Sequence, residues 1–161
     1  MRTCVRGRGC LLVIEIATGD MLESPAEALV CTVNTKGAMG KGIALAFAKR
    51  FDGLLDHYGA ACERGELRTG SMWNFPTGLI IGPRLIICFP TKQHWARPSQ
   101  LQWIEDGLQD LANTLGDESV SSVAVPALGC GHGGLAWPHV EPLIHDALGH
   151  LDTKVFLYPP R

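Results

Sequence analysis

Val120-Ser121-Ser122-Val123-Ala124-Val125-Pro126-Ala127-Leu128-Gly129-Cys130-Gly131-His132-Gly133-Gly134-Leu135 joins an apolar run to four glycines within six residues. Val120 to Val125 reads as a buried strand. Pro138 to Leu151 reads as a helix, with proline tolerated in its first turn. Glycine lets a backbone approach a ligand closely, and the helix start beyond it presents unpaired N–H groups. Asn34-Thr35-Lys36-Gly37-Ala38-Met39-Gly40-Lys41-Gly42-Ile43 repeats the arrangement. It lies between the strand-like Ala28 to Val33 and a helical Gly42 to Phe51, whose Ile43, Phe47 and Phe51 share one face. One such turn hints at phosphate binding. Two in a small domain point to a clamp on a diphosphate. If these were turn glycines alone, one or two per site would be explained, but not four in the second.

Outward from these turns, strands and helices alternate. Leu11 to Ile16, Ser71 to Phe75, Arg84 to Phe89 and Val155 to Tyr158 read as further strands, and Leu54 to Arg64 as a helix. Ser99 to Leu115 is helical, with Ser99 as its cap and Leu101, Ile104, Leu108 and Leu111 at helical spacing. The pattern predicts an α/β fold in three layers, α/β/α, around a mixed, mostly parallel sheet. Ligands of such sheets bind beyond the carboxyl ends of the strands, where both glycine turns fall.

The 161 residues suit one domain, here expected over 11–161 after a disordered tail over 1–10. A composition of 46% hydrophobic and 19% charged residues is that of an ordinary globule, and a net charge of −2 excludes a globally basic nucleic-acid binder. Arg2, Arg6 and Arg8 precede an apolar stretch, but Glu15 and Asp20 cut it and no cleavage site follows, so a cytoplasmic location without a membrane span is expected. The six cysteines form no C-x-x-C pair, so neither a zinc site nor another metal is expected. Cys31 and Cys88 fall in apolar runs, where a buried thiol is the default.

Familiar nucleotide motifs fail. Gly37 and Gly42 have Walker A spacing, but Ile43 and Ala44 occupy the Lys and Ser/Thr positions. Gly129, Gly131 and Gly134 satisfy G-x-G-x-x-G, yet a dinucleotide fold needs more βα units after its fingerprint than this chain supplies.

The arrangement resembles a macrodomain, the ADP-ribose-binding fold, over nearly the whole chain. Thr18-Gly19-Asp20-Met21-Leu22 resembles the segment whose aspartate accepts the adenine amino hydrogen bond. Gly37 to Ala44 resembles the first binding loop, with Met39, Gly40, Gly42 and Ile43 beside the distal ribose and diphosphate. Pro126 to Gly131, with Gly133, Gly134 and Leu135, resembles the second, whose amides hold the diphosphate; Leu128, Gly129 and Cys130 fall within it. Met39 to Ala44, Phe89-Pro90-Thr91-Lys92-Gln93-His94-Trp95 and Gly129-Cys130-Gly131 are similar to one branch. That branch holds the terminal ADP-ribose protein glycohydrolase and bacterial DNA ADP-ribosyl glycohydrolase antitoxins.

The resemblance implies that Lys92, on a loop after the strand, attacks or stabilises the anomeric carbon of the distal ribose. A lysine beside an apolar strand end can act as a nucleophile. By its residue type alone it reads instead as a solvated lysine pairing a phosphate, and only the resemblance turns the reading towards catalysis. The glycohydrolase of the branch sets an aspartate where this chain has Gly133, whereas the antitoxins also carry glycine there. His132 can serve as acid or base, or shield the diphosphate. Asn34 either contacts the distal ribose or builds the turn, and Asp20 either contacts adenine or caps the next turn. Trp95, with His94 and Arg97, is a candidate substrate contact, able to stack an extruded base and hold a phosphate. Trp73, Trp103 and Trp137 read as core.

Taken with the glycine turns, the resemblance implies a monomeric ADP-ribosyl hydrolase without a cofactor. Its substrate would be the ADP-ribose moiety of an ADP-ribosylated protein, as a Glu/Asp ester, or of single-stranded DNA, on a thymidine base. A reader that binds ADP-ribose without cleaving it, or a deacetylase of O-acetyl-ADP-ribose, are the alternatives.

Overall fold

The computed structural model describes residues 13–161. The tail expected over residues 1–10 and the Leu11-Leu12 start of the first expected strand lie outside the described residues. Among those described, six strands form one sheet: β1 (Ile14–Ile16), β2 (Ala28–Asn34), β3 (Trp73–Pro76), β4 (Leu85–Lys92), β5 (Ser122–Val125) and β6 (Lys154–Leu157). Their order is β1-β6-β5-β2-β4-β3, parallel throughout except that β3 runs antiparallel to β4.

The central strands are apolar without interruption because both faces are covered. Side chains alternate between two cores. Val30, Ile87, Phe89, Val123 and Val125 face α3 (Leu101–Asp117) and α4 (Trp137–Leu148), meeting Ile104, Leu108, Leu111, Val140 and Ile144. Leu29, Cys31, Ile86, Cys88 and Ala124 face α1 (Gly42–Arg50) and α2 (Leu54–Glu63), meeting Phe47, Leu54 and Tyr58. This is the expected three-layer α/β/α arrangement. Cys31 and Cys88 are buried free thiols on paired positions of β2 and β4. Trp73 and Trp137 each pack, half-buried, against one of the cores. No helix among the described residues is long and apolar enough to cross a membrane.

Three local expectations need correction. Strand β4 does not stop at Phe89 but runs to Lys92, so Lys92 ends a strand rather than sitting on the loop after it. Pro90 does not break β4, because the pairing with β2 shifts there: Val33 lies opposite Pro90, and Asn34 opposite Lys92. A bulge tolerates the missing N–H and aims Lys92 at the strand ends. Ser99 does not cap α3. Gln100 holds the cap position without a side-chain bond, and the Ser99 N–H donates to the Gly133 carbonyl at 2.9 Å. The start of α3 is thus tied to the second glycine turn. Finally, Ser71 and Met72 precede β3, where the Met72 N–H donates to the Asp110 carboxylate at 2.6 Å.

Candidate active site

Strands β5, β2 and β4 are neighbours, and each ends in one part of the site. The second glycine turn follows β5, the first follows β2, and Lys92 closes β4. The helix after β2 lies on one face of the sheet and the helix after β5 on the other, so their loops diverge and leave a crevice.

Two adjoining cavities fill that crevice, of about 710 Å³ and 610 Å³. Both lie in the range of small-molecule sites. The larger is lined by Asn34, Gly40, Gly42 and Ile43 from the first turn, and by Lys92 and Trp95. Pro126, Gly129, Cys130, Gly131, His132 and Gly133 face them from the second turn. The smaller cavity holds Asp20 and Met21, with Gly19 and Tyr158. Gly42, Ile43, Pro126, Ala127, Pro160 and Arg161 line both, so they form a waist between two chambers. That shape suits an elongated ligand with bulky ends and a narrow middle.

The first turn is shaped by Asn34. Its Oδ1 accepts from the Lys36 N–H at 2.9 Å and the Ala38 N–H at 3.4 Å, while its Nδ2 donates to the Ala38 carbonyl at 2.8 Å. Tyr58 of α2 donates to the Asn34 carbonyl at 2.6 Å and lies 3.1 Å from its Oδ1. Burial pushes the Tyr58 phenol well above its ordinary range, so it stays a donor. Asn34 therefore lines the cavity with its amide engaged in building the turn. Gly42 opens α1 at φ 57°, and a Cβ there would stand 3.4 Å from the His132 ring. The two turns thus come close across the waist; a Cβ would make ordinary contact with His132, and it is the left-handed φ that favours glycine here.

Lys92 is held from the first turn. Thr35 donates through its N–H to the Lys92 carbonyl at 3.1 Å and through its hydroxyl to the Gln93 carbonyl at 3.0 Å. The Lys92 Nζ donates to the Trp95 carbonyl at 3.3 Å. Burial first, and the charge of Lys41 second, lower the affinity of this amine for its proton. Burial raises the thiol of Cys130. Trp95 is 56% exposed at the rim and stacks on His94, with ring centres 4.0 Å apart.

Gly133 has no room for a side chain. A Cβ there would lie 2.4 Å from the Gly129 carbonyl oxygen and 2.4 Å from the Ser99 Oγ. The second turn cannot present a carboxylate at this position in this backbone.

Other expected residues lie apart. Met39 and Leu128 are buried in opposite cores, and Gly37, Gly134, His94 and Arg97 line neither cavity. Asp20 faces the smaller cavity while its Oδ1 accepts from the Leu22 N–H at 2.9 Å, capping a single 3-10 turn (Met21–Glu23). Its two readings are thus compatible. Thr35, Tyr58, Lys41 and Arg161 were not singled out from the sequence. Only Lys41 carried a signal, by standing between two glycines of the first turn.

The macro domain model matches residues 30–144. The chain belongs to the macro domain family. The macrodomain of Mycobacterium tuberculosis DarG is 46% identical and superposes with a TM-score of 0.90, over 92% of this chain and 98% of that one. A Thermus aquaticus protein named DNA ADP-ribosyl glycohydrolase is 44% identical over 92% of this chain and 41% of its own length. The chain thus spans about two fifths of that curated relative. The Thermosipho africanus DarTG structure in complex with ADP-ribose is 34% identical with a TM-score of 0.84, over 91% of this chain and 41% of that one. Sequence and shape place this macrodomain beside the DarG glycohydrolases.

Proposed function

We propose that this macrodomain is an ADP-ribosyl glycohydrolase that removes mono-ADP-ribose from a thymidine base in single-stranded DNA, acting as a cytoplasmic monomer without a cofactor. The observation that carries the reading is Lys92. Its partly desolvated amine stands at a strand end inside a two-chambered cavity of nucleotide size. The names of its DarG-like relatives, which act on DNA ADP-ribosylation, support the substrate class.

ADP-ribose fits with adenine in the smaller chamber beside Asp20 and Met21. Its diphosphate crosses the waist, where Gly42 and Ile43 of the first turn face the backbone of Pro126 to Gly131. Helix α1 begins there with no acidic residue in its first turn, which favours an anion. The distal ribose then reaches Lys92. The Lys92 amine, with its proton affinity lowered, attacks the anomeric carbon as the bond to the base breaks, the departing base takes up the proton that the bonded amine sheds, and water releases ADP-ribose and restores the amine. His132, lying over Gly42, fits a cover on the diphosphate better than an acid or base. Trp95 at the rim offers its face to the base from which the ribose is cut, and Arg97 two residues on offers a charge to the strand. Asn34, Gly37 and Gly134 act through the shapes of their turns.

The test is release of ADP-ribose from two substrates, an ADP-ribosylated single-stranded oligonucleotide and a protein carrying ADP-ribose on glutamate. Release from the oligonucleotide is expected. Release from the protein ester alone would move the substrate class. Binding of free ADP-ribose with release from neither would make the domain a reader, the reading that the bare Gly133 keeps open.

A further inference from the structure

The larger cavity is lined by three cationic side chains, Lys41, Lys92 and Arg161, and among the described residues by no acidic side chain. This is not a reflection of composition, since the chain has 16 acidic residues and 14 basic ones. Lys41 comes from the first turn, directly before α1, in an extended conformation with φ −145° and ψ 158°. Its side chain caps nothing and makes no ion pair among the described residues. Lys92 comes from the end of β4, and its Nζ donates only to the Trp95 carbonyl. The other titratable groups facing them offer no counter-ion. Cys130 and His132 come from the second turn and Arg161 from beyond β6, while His94 and Arg97, on the loop after β4, line neither cavity. Asp20 lies in the other chamber, beyond the waist.

We propose that Lys41 is a positioning residue that sets the charge state of Lys92 and releases that control when a diphosphate enters. In the empty site two ammonium groups share one partly desolvated cavity, with the positive end of α1 beside them. The arrangement is relieved if the more buried of the two gives up its proton, and that one is Lys92. Lys41 thus adds to burial in shifting Lys92 towards the neutral amine before substrate arrives. Once the diphosphate lies across the waist it compensates Lys41 and the start of α1, and the influence on Lys92 fades. The proposal rests on the reading that the Lys92 amine acts on ADP-ribose.

Its test needs no substrate turnover. The chain has five lysines, so ¹³C-methylation of the amines followed by NMR titration resolves each, with Lys92→Arg assigning the signal. In Lys41→Gln, Lys92 is expected to titrate at higher pH than in the wild type. Lys41→Arg should restore the wild-type value, and saturating ADP-ribose should close the gap between wild type and Lys41→Gln. An unchanged Lys92 titration in ligand-free Lys41→Gln overturns the proposal. Kinetics give a second reading, because kcat/KM reports the free enzyme and kcat the complex. The rising limb of kcat/KM should move to higher pH in Lys41→Gln, with about a two- to fivefold loss near neutrality, while the kcat limb stays in place. A merely structural role would lower both at every pH without moving either limb. Activity undiminished in Lys92→Ala would instead sink the role given to Lys92, leaving the NMR result to judge the charge coupling by itself.

Discussion

The two ends of the same three strands have opposite electrostatics. Before β2, β4 and β5, Glu27, Arg84 and Ser121 satisfy one another. Glu27 pairs with the Arg84 guanidinium and accepts from the Ser121 N–H at 2.8 Å, and Arg84 also donates to the Glu118 carbonyl at 2.6 Å. Hydrogen bonds from Ser121 and then Arg84 hold the Glu27 carboxyl at about 2. Beyond the same strands, Lys41 and Lys92, joined by Arg161 from beyond β6, line a cavity with no acidic side chain among the described residues. A closed polar network stabilises the fold, whereas uncompensated charge of one sign stores affinity for a ligand that carries the other. The difference separates a structural end of the sheet from a binding end.

Substitutions of groups that face the cavity freely at the open end should alter ligand chemistry and leave the fold alone, and those at the closed end should do the reverse; Gly133, packed against Gly129 and Ser99, is the exception. The largest effect is expected for Lys92→Ala. ADP-ribose release from the modified oligonucleotide should fall by about 10²–10⁴-fold, with free ADP-ribose still bound and the Tm unchanged. Next is Gly131→Glu. Gly131 lines the cavity and a Cβ there meets nothing within 4 Å, so the variant should fold, but its carboxylate intrudes on the diphosphate path. Calorimetry should show at least about a 100-fold loss of ADP-ribose affinity, about 2.7 kcal/mol. An unchanged affinity would refute the placement of the diphosphate.

Gly133→Asp tests whether the aspartate of the related glycohydrolase can simply be installed. The side chain collides with the Gly129 carbonyl and Ser99, so the expected result is a loss of about 1–3 kcal/mol of stability and no gain in rate. A faster enzyme of unchanged Tm would show that the turn can open. The smallest effect belongs to the closed end. Because the folded-state value of Glu27 lies below the ordinary carboxylate value, its contribution is fully present above about 4.5 and lost as pH falls from there towards about 2. Glu27→Gln should cost about 1–2 kcal/mol at neutral pH, reduced by solvent screening, and should flatten the stability profile across that window. ADP-ribose affinity should not change. If it does, the two ends are coupled through the sheet.

The fold was legible where periodicity is strong. The continuous runs of β2 and β4 and the stripe of Ile104, Leu108 and Leu111 on α3 lie as read, because burial on both sheet faces and on one helix face writes a regular pattern. Strand ends were less legible. The sequence reads as a strand ending at Phe89, and only pairing with β2 through a shifted register carries β4 on to Lys92. Ser99 has the residue type of a cap but is drawn to the Gly133 carbonyl, a partner 34 residues away. The glycine turns of the site were visible because glycine is demanded by backbone geometry, which is local. Thr35 and Tyr58 left no mark, since their role is to hold a neighbour brought close by the sheet.

The sequence alone determined the two glycine turns, their place after apolar strands, Lys92 between them, and the family these features resemble. Those are properties of residue type and spacing. The tertiary structure decided that β6, β5, β2 and β4 lie side by side, so that Lys41, Lys92 and Arg161 enter one cavity without an acidic side chain among the described residues. It also decided that Gly133 is bare because Ser99 and Gly129 occupy its space. Charge balance and steric room are sums over neighbours distant in the chain, and only the fold selects the neighbours.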